Sequence, residues 1–347
     1  MILNALDPVT AEAAVEQAAQ ALRAGALVGL PTETVYGLAA DANNPHAVAQ
    51  IFQAKGRPAD HPLIVHVAQA SDVAHFARDV PAFAQALMRA FWPGPLTLIL
   101  PRRAQVGAVA AGGQASIGLR CPAHPVAQAL LKRAQALGVL GVAAPSANRF
   151  GRVSPTTAQH VASEFPQGDG DALLILDGGA CQVGIESTIV DCSRGVPVLL
   201  RPGGVSRAAL LAVLSDFGQA LVTPEQALQL SQQTTPKASG TLTAHYAPQA
   251  KVRLMSLTQM QTELAQREGQ GNPTAHLALY VREPVPFQAK APLQVLTMPD
   301  QAAAAAQALF ADLRQMDGPS IREIWVQTPP ASPEWEGVSD RLRRAAA

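Results

Sequence analysis

The segment PTETVYGL, residues 31–38, directly follows an apolar run over residues 26–30. That run is typical of a buried strand, and Pro31 ends it because proline cannot donate a hydrogen bond to a sheet ladder. The end of the strand therefore carries two hydroxyl groups and a carboxylate, which belong to Thr32, Thr34 and Glu33. The opening segment thus predicts a strand whose end is polar and suited to binding.

Two cations follow in the segment KGRP, residues 55–58, and a second apolar run, PLIVH at residues 62–66, ends on His66. Taken alone, Lys55 and Arg57 are typical of a solvated helix end, where positive charge is stabilising. His66 taken alone is typical of a histidine in a protein core. Beside the hydroxyl groups of residues 32–34, however, the two cations match what a phosphorylated ligand requires, because guanidinium and ammonium groups bind phosphate.

Four other clusters of cationic or hydroxyl side chains lie at or near predicted strand ends. Ligands of α/β proteins collect at strand ends and in the adjoining loops, so this repetition favours one common binding site. The side chains are Arg120 at the end of residues 116–120, Ser146 and Asn148 after residues 139–144, Ser187 after residues 184–186, and Arg201 after residues 198–200. Together they favour phosphoryl or nucleotidyl transfer.

The sequence contains no Walker A loop, so if ATP binds, side chains must hold its triphosphate. Mg²⁺ is the usual bridging cation for such a ligand, and it takes phosphate oxygens, water and one or two carboxylates. Glu33 could supply one of these carboxylates, although a purely structural role is equally consistent with its position.

The composition indicates a globular protein of two domains: 347 residues, 48% hydrophobic and 15% charged, with a formal net charge of zero. A neutral chain has no overall attraction for nucleic acid or anionic membranes, so phosphate affinity must come from locally placed cations. The three cysteines form no CxxC pair, which argues against a zinc site. No signal-peptide pattern and no apolar run of about 18 residues is present, so we expect a soluble cytoplasmic protein.

Predicted strands and helices alternate over residues 1–218, which indicates an α/β domain. One helix should begin at Asn44-Pro45, because Asn is a good N-cap and Pro suits the first helical position. Residues 219–250 are rich in Gln, Thr, Ser and Pro without a clear period, which predicts a linker or a functional loop. The alternation restarts over residues 251–347 as a small second α/β domain.

In this order, the motifs resemble the YrdC-like domain of threonylcarbamoyl-AMP synthases, and the trailing domain resembles the long two-domain form. Each motif alone is a weak signal, whereas the ordered set is specific and covers most of residues 10–210. The matching segments are PTETVYGL (31–38), KGRP (55–58), PLIVH (62–66), WPGPLT (92–97), R-x-P (120–122), APSAN (144–148), SPT (154–156), GIESTIVD (184–191), LLRPG (199–203) and HYAP (245–248).

The resemblance implies a YrdC-like twisted mixed sheet with helices, plus a smaller C-terminal Rossmann-like three-layer α/β domain. It also implies a reaction in which L-threonine, bicarbonate and ATP, with Mg²⁺, give threonylcarbamoyl-adenylate and pyrophosphate. The adenylate would pass to a tRNA threonylcarbamoyl transferase, so this would be the first step of threonylcarbamoyladenosine formation in tRNA. Any contact with tRNA itself would be indirect or weak, and no membrane is implied.

Matched residue by residue, the resemblance implies three groups of site residues. The catalytic group is Lys55, Arg57 and Thr32, with Lys55 among the phosphates and Thr32 near bicarbonate. The threonine pocket is Thr34, His66, Arg120, Ala144 and Ser187, with Arg120 on the amino-acid carboxylate. The ATP contacts are Arg57, His61, Ser116, Ser146, Asn148, Ser154, Arg201 and Tyr246, and no metal-ligating side chain is predicted. Because Tyr246 lies within residues 219–250, we expect that segment to reach over the nucleotide site as a lid.

Two positions depart from the family pattern. Many relatives carry Asn just before Pro62, where this chain has His61. A histidine there can still donate a hydrogen bond to ATP, but its contribution would vary near its pKa. Ser116 stands where Thr is common, and it keeps the hydroxyl group.

Two other functions fit parts of the sequence. An RNA-binding or ribosome-associated module would use the cations for phosphate backbone without turning over ATP, but neutral charge and the lack of interleaved aromatic and basic residues argue against it. A hydrogenase-maturation carbamoyltransferase would share the fold, yet it needs zinc-finger-like and acylphosphatase-like regions for which this chain has neither cysteines nor room.

Overall fold

The computed structural model describes residues 1–166, 173–231, 236–242, 244–270, 274–283 and 293–347. These residues form two compact units. The first unit consists of Met1–Phe150 and Ser154–Thr241, and the second of Gly151–Val153 and Leu242–Ala347.

The first unit is built on a ten-stranded mixed sheet with the strand order β1-β8-β2-β3-β7-β4-β6-β5-β9-β10. The sheet contains parallel pairs, such as β4 with β6 and β5 with β9, and antiparallel pairs, such as β5 with β6. The strands are β1 (Ile2–Asn4), β2 (Val28–Leu30), β3 (Gly37–Asp41), β4 (Ile64–His66), β5 (Leu96–Pro101), β6 (Ser116–Arg120), β7 (Val142–Ala143), β8 (Leu174–Asp177), β9 (Thr188–Asp191) and β10 (Val198–Arg201).

Helices cover both faces of this sheet. Leu38 and Ala40 pack in one apolar cluster, whereas Ala39 packs in another, because successive residues of a strand point to opposite faces. The helices are α1 (Ala11–Arg23), α2 (Pro45–Lys55), α3 (Val73–Phe76), α4 (Ala82–Phe91), α5 (Pro125–Ala136), α6 (Ala158–Glu164), α7 (Arg207–Ser215) and α8 (Pro224–Ser231).

Helix α2 delivers the cations of the KGRP segment. The Asn44 side chain accepts hydrogen bonds from the backbone N–H groups of His46 and Ala47, which caps the helix start as predicted. Gly56 ends the helix in the left-handed region, with φ of 62°, a conformation that glycine adopts without a steric penalty. Lys55 is therefore the last helical residue, and the chain turns immediately after it.

The second unit contains a four-stranded parallel sheet with the order β11-β14-β12-β13. Its strands are β11 (Lys251–Met255), β12 (Leu277–Val281), β13 (Gln294–Thr297) and β14 (Glu323–Gln327), and its helices are α9 (Leu257–Gly269), α10 (Ala302–Met316) and α11 (Glu336–Ala345). Residues 151–153 belong to this unit because Ala247 N–H donates to the Gly151 carbonyl (2.9 Å) and the Arg314 guanidinium donates to the Val153 carbonyl.

These observations confirm the predicted fold class, a twisted mixed sheet with helices and a separate smaller α/β unit. The prediction that residues 219–250 lack regular structure is wrong at α8. That helix has a reciprocal cap, in which Thr223 N–H donates to the Gln226 side chain (2.8 Å) and Gln226 N–H to the Thr223 hydroxyl (3.3 Å). The lid function of the segment remains a prediction. Among the described residues, no helix is both long and apolar enough to cross a bilayer.

Candidate active site

The loop between β2 and β3 places the hydroxyl and carboxylate groups of residues 32–34 inside the first unit. Thr32 Oγ1 donates to the Val35 carbonyl (2.6 Å) and lies 2.9 Å from Thr34 Oγ1. It also accepts from the Thr34 and Val35 N–H groups, each at 3.3 Å. The Thr32 hydroxyl therefore fixes the loop itself, and the predicted contact of Thr32 with bicarbonate stays a prediction.

Arg120, at the end of β6, is the centre of the predicted threonine pocket. Its Nη1 donates to Thr34 Oγ1 (2.8 Å), its Nε donates to the Gly94 carbonyl (3.2 Å), and its Nη2 lies 2.7 Å from Glu33 Oε1. The ion pair is almost completely buried, with side chains 4% and 6% exposed. Thr34, Glu33 and Arg120 thus form one buried polar cluster.

His66 is aligned with Arg120 in the β4–β6 pair and is also buried. Burial, and secondly the nearby Arg120 charge, lower the pKa of His66 to about 3. The imidazole is therefore neutral at physiological pH and can only serve as a neutral hydrogen-bonding or packing group. Ala144, also predicted for this pocket, is buried after β7, and its N–H donates to the Ile64 carbonyl (3.0 Å).

Ser187, the last predicted threonine-pocket residue, lies just before β9 and is joined to Arg201. Arg201 Nη2 donates to the Ser187 carbonyl (2.8 Å) and to its hydroxyl (3.2 Å). The same hydroxyl lies 2.8 Å from Thr97 Oγ1. The predicted threonine and ATP groups are therefore in direct contact at this point.

Lys55 organises the turn that follows β7. Its ammonium group donates to the Ser146 and Asn148 carbonyls, each at 2.5 Å, and is buried. Burial, and secondly the Arg57 charge, lower the pKa of Lys55 well below its usual value. The structure thus brings Lys55 together with the backbone of two predicted ATP contacts, Ser146 and Asn148.

Arg57 and Arg201 meet at Ser239, a residue that the motif comparison did not single out. Arg57 Nη2 donates to Ser239 Oγ (3.3 Å) and to the Pro62 carbonyl (2.9 Å). Arg201 Nη1 donates to the Ser239 carbonyl (2.8 Å). Ser239 lies six residues before the HYAP motif at residues 245–248, which was the nearest sequence signal.

A cleft of the first unit lies beside Ser239. Residues of β4, β5, β6 and β9 line it, together with hydroxyl, amide and ammonium groups. The lining residues are Pro62, Leu63, Ile64, Thr97, Ile99, Gln114, Ser116, Gly118, Ile189, Lys237, Ala238 and Ser239. Ser116, a predicted ATP contact, is therefore part of a concave surface.

Two further predicted ATP contacts also lie in the first unit. Ser154 Oγ donates to Glu186 Oε1 at 2.5 Å, and both residues are buried. The His61 ring packs edge-on against Phe150, with centroids 5.6 Å apart, and its carbonyl accepts from Arg57 Nε (3.4 Å). Burial, and secondly the Arg57 charge, lower the pKa of His61, which favours its neutral form.

Tyr246 belongs to the second unit and is 1% exposed. Its ring lies 5.5 Å from the Phe310 ring and 5.2 Å from the Arg341 guanidinium carbon. Its φ of 63° is unusual for a residue other than glycine. The predicted contact of Tyr246 with ATP remains a prediction.

No three His, Cys, Asp or Glu side chains converge into a metal site within the part of the chain that the structure describes. The polar groups of the first unit are instead dominated by buried cations and hydroxyl groups. Such a set, on the strand ends of a mixed sheet of an α/β protein, is chemically suited to an anionic ligand.

Comparisons with known proteins identify the family. The Sua5/YciO/YrdC profile, described as telomere recombination, matches residues 20–203. The profile described as threonylcarbamoyl-AMP synthase, C-terminal domain, matches residues 205–347. The chain therefore belongs to the Sua5/YciO/YrdC family, in the form that carries the threonylcarbamoyl-AMP synthase C-terminal domain.

Individual relatives agree with this assignment. Curated proteins named threonylcarbamoyl-AMP synthase are 44% identical over 235 residues in Pyrococcus abyssi and 42% identical over 241 residues in Bacillus subtilis. These alignments cover 68% and 69% of this chain, and the chain spans 66% of the length of each of these relatives. The crystal structure of P. abyssi Sua5 complexed with L-threonine matches with a TM-score of 0.86 at 35% identity, covering 100% of this chain and 97% of that one.

Proposed function

We propose that this chain is a threonylcarbamoyl-AMP synthase, which converts L-threonine, bicarbonate and ATP into threonylcarbamoyl-adenylate and pyrophosphate. The observation that carries the proposal is a set of four cations of the first unit, Lys55, Arg57, Arg120 and Arg201, each at most 8% exposed. Burying charge is costly, so a neutral chain that buries four cations in one unit is suited to a polyanionic ligand. Family membership supplies the particular reaction.

In this proposal, Arg120 binds the threonine carboxylate, because its guanidinium is held by Thr34 and Gly94 with hydrogen-bonding capacity left over. His66, Ala144 and Ser187 complete the threonine pocket with Thr34. The threonine complex of P. abyssi Sua5 supports an amino acid as one ligand of the family.

Lys55, Arg57 and Arg201 would stabilise the charge that develops on the phosphates during transfer. The hydroxyl groups of Ser116, Ser146 and Ser154, together with His61, Asn148 and Tyr246, would hold the rest of the nucleotide. Lys55 already donates hydrogen bonds to two carbonyl groups, so it would act on the phosphates mainly as a nearby positive charge.

The chemistry has two steps. The threonine amine attacks bicarbonate, which gives a carbamate and water. A carbamate oxygen then attacks the α-phosphorus of ATP, and pyrophosphate leaves. Because a carbamate is labile in water, both steps should occur in one site that excludes solvent. The burial of Thr34, Arg120 and Arg201 is suited to that requirement.

Mg²⁺ would enter with ATP in this proposal. Its donors would be phosphate oxygens and water, because the site is rich in cations and hydroxyl groups and the described residues contain no cluster of acidic ligands. The ion would neutralise part of the triphosphate charge. The adenylate would then serve a tRNA threonylcarbamoyl transferase, and we infer a cytoplasmic reaction because its substrates and tRNA meet there.

The test is pyrophosphate release by the full-length protein from ATP and Mg²⁺, with L-threonine and bicarbonate omitted in turn. The proposal requires release only when both are present. Release with threonine alone in bicarbonate-depleted buffer would indicate plain aminoacyl adenylation instead. No release under any condition, combined with salt-sensitive RNA binding, would favour an RNA-binding module.

A further inference from the structure

We propose that Glu33 accepts a proton from the α-ammonium group of the amino-acid substrate and is therefore a catalytic residue of the carbamate-forming step. The proposal rests on the proposed function, since it concerns the same threonine pocket. Neither the motif comparison nor the ion pair alone assigns this role.

The first observation is an unsatisfied buried carboxylate. Glu33 is 4% exposed, and within the described structure neither of its side-chain oxygens has a hydrogen-bond partner, although both are buried. Buried carboxylates are normally hydrogen-bonded, whereas Glu33 has only the charge of Arg120 as compensation, so its oxygens keep unused capacity to accept hydrogen bonds. The backbone of Glu33 is fixed, since its carbonyl accepts from Val183 N–H at 2.7 Å.

The second observation is the geometry of the Glu33–Arg120 pair. Arg120 Nη2 lies 2.7 Å from Glu33 Oε1, yet the two atoms are not aligned as a hydrogen bond, and Nη2 has no other hydrogen-bond partner. The pair therefore offers a donor on one side and acceptors on the other. An amino acid presents the complementary groups, a carboxylate for Arg120 and an ammonium group for Glu33.

The chemistry requires the substrate amine in its neutral form, which a base beside the amino group would supply. An α-amino group is largely protonated at neutral pH, and an ammonium nitrogen has no lone pair with which to attack bicarbonate. In the proposed step, the Glu33 carboxylate takes one ammonium proton and becomes a carboxylic acid. The amine lone pair then forms the N–C bond to bicarbonate, whose hydroxyl group leaves as water with a second nitrogen proton. The proton on Glu33 returns to solvent when the product is released.

Other groups near Glu33 are poor candidates for this base. His66 has a pKa of about 3, so it is a weaker base than an ordinary carboxylate, and its neutral ring has no negative charge to attract an ammonium group. His124 is committed to capping α5 through Nδ1, which accepts from Val126 N–H (3.2 Å), while Nε2 lies 3.2 Å from the Gly178 carbonyl. The titratable or charged groups that sense the Glu33 charge are Arg120 (which carries the ion pair), Cys121, His124 and Cys181.

The neighbouring thiols do not compete either. Burial raises the pKa of Cys121 and of Cys181, so both remain protonated at neutral pH. Lys55 donates to two carbonyl groups and is tied to the turn after β7. Glu33 is thus the carboxylate placed against the arginine that would receive the substrate.

The experiment compares the full-length wild type with Glu33→Gln in threonine-dependent pyrophosphate release between pH 6.5 and 9.5. An internal base makes wild-type kcat/KM for threonine nearly flat over this range. Without this base, kcat/KM for threonine in Glu33→Gln should be about 10²- to 10⁴-fold lower at pH 7. It should then rise about tenfold per pH unit, because only the free amine reacts. An aminooxy analogue of threonine, whose amino group is neutral at pH 7, should recover much of the lost rate.

Several outcomes would overturn the inference: near-wild-type activity of Glu33→Gln, a loss with an unchanged pH profile, or no recovery with the analogue. If Glu33→Gln does not fold, the wild-type profile alone decides, since a tenfold rise per pH unit would show that no internal base operates. Glu12→Gln, on an exposed position of α1, is the matched control. Absence of wild-type pyrophosphate release would instead refute the proposed function.

Discussion

Arg57 and Arg201 are joined through one residue, because the first donates to the hydroxyl of Ser239 (3.3 Å) and the second to its carbonyl (2.8 Å). The Ser239 hydroxyl donates in turn to the Pro62 carbonyl (2.7 Å). Two arginines from distant parts of the chain are thereby held at one short segment. Ser239 also lines the cleft of the first unit.

Replacing Ser239 by Ala should therefore loosen Arg57 while leaving the backbone contact of Arg201 in place. We expect a loss of about 1 kcal/mol in the free energy of unfolding, since two hydrogen bonds of a partly buried hydroxyl disappear. The KM for ATP should rise several-fold with little change for threonine. Urea unfolding and steady-state kinetics measure both effects, with the exposed Ser215→Ala as control. An unchanged KM for ATP would remove Ser239 from the nucleotide site.

Arg120→Lys should mainly weaken threonine binding. Lysine keeps the charge but cannot contact Thr34, Glu33 and Gly94 with one planar group. We expect the KM for threonine to rise by about tenfold to a hundredfold, because a buried charged hydrogen bond contributes about 1.5–3 kcal/mol. The KM for ATP should change much less. An equal rise for both substrates would contradict the assignment, and Arg89→Lys, which is exposed, is the control.

His66 should make the protein sensitive to acid. Its folded-state pKa, about 3, is below the ordinary value of 6.5. Between these two pH values, the unfolded chain therefore binds a proton that the folded chain does not. Stability therefore falls as pH decreases below 6.5. From pH 7.5 to pH 5 this contribution is about 2 kcal/mol, at about 1.36 kcal/mol per pH unit below 6.5.

Urea unfolding of wild type and His66→Gln at both pH values tests this expectation. The drop in the free energy of unfolding between the two conditions should be about 2 kcal/mol smaller in the variant. His46→Gln, at an exposed position, should behave as wild type. Equal drops in wild type and His66→Gln would show that His66 is not held neutral.

Tyr246→Ala should raise the KM for ATP if the predicted lid contact exists. The structure adds a second effect, because the buried Tyr246 ring packs against Phe310 and Arg341. Truncating it should lower the free energy of unfolding by about 3–5 kcal/mol. Tyr246→Phe keeps the ring, so it should remain folded and report on the hydroxyl alone. A KM for ATP that stays unchanged in Tyr246→Ala would refute the lid contact.

Local signals in the sequence predicted much of the fold. The Asn44-Pro45 pair marked the start of α2, and the run over residues 116–120 matched β6, because capping and strand patterning are local properties. Strand β3 was missed, since its small residues have little intrinsic strand preference and form a strand only by pairing with β2 and β7. Helix α8 was missed although Thr223-Pro224 carries a capping signal, because the surrounding composition suggested a linker.

The site could be predicted only as a set of residue types. The motifs assigned Lys55, Ser146 and Asn148 to one predicted site, but they could not show that Lys55 binds backbone carbonyl groups, which the turn after β7 brings into place. The contacts of Ser239 with Arg57 and Arg201 could not be predicted either, since they join residues far apart in the sequence. The sequence also could not decide whether Glu33 has a purely structural role. The lack of hydrogen-bond partners at its carboxylate depends on how the folded chain packs around it.

The attachment of Gly151–Val153 to the second unit has a practical consequence for dissecting this protein. A fragment that begins at Leu242 lacks the tripeptide whose carbonyl groups bind Ala247 and Arg314, so no single cut of the chain yields a complete second unit. Complementation between separately expressed pieces would require residues 151–153 to be supplied in trans by the other piece. The second unit is thus built from two separate segments of the chain, so dividing the gene at one point does not separate the two structural units.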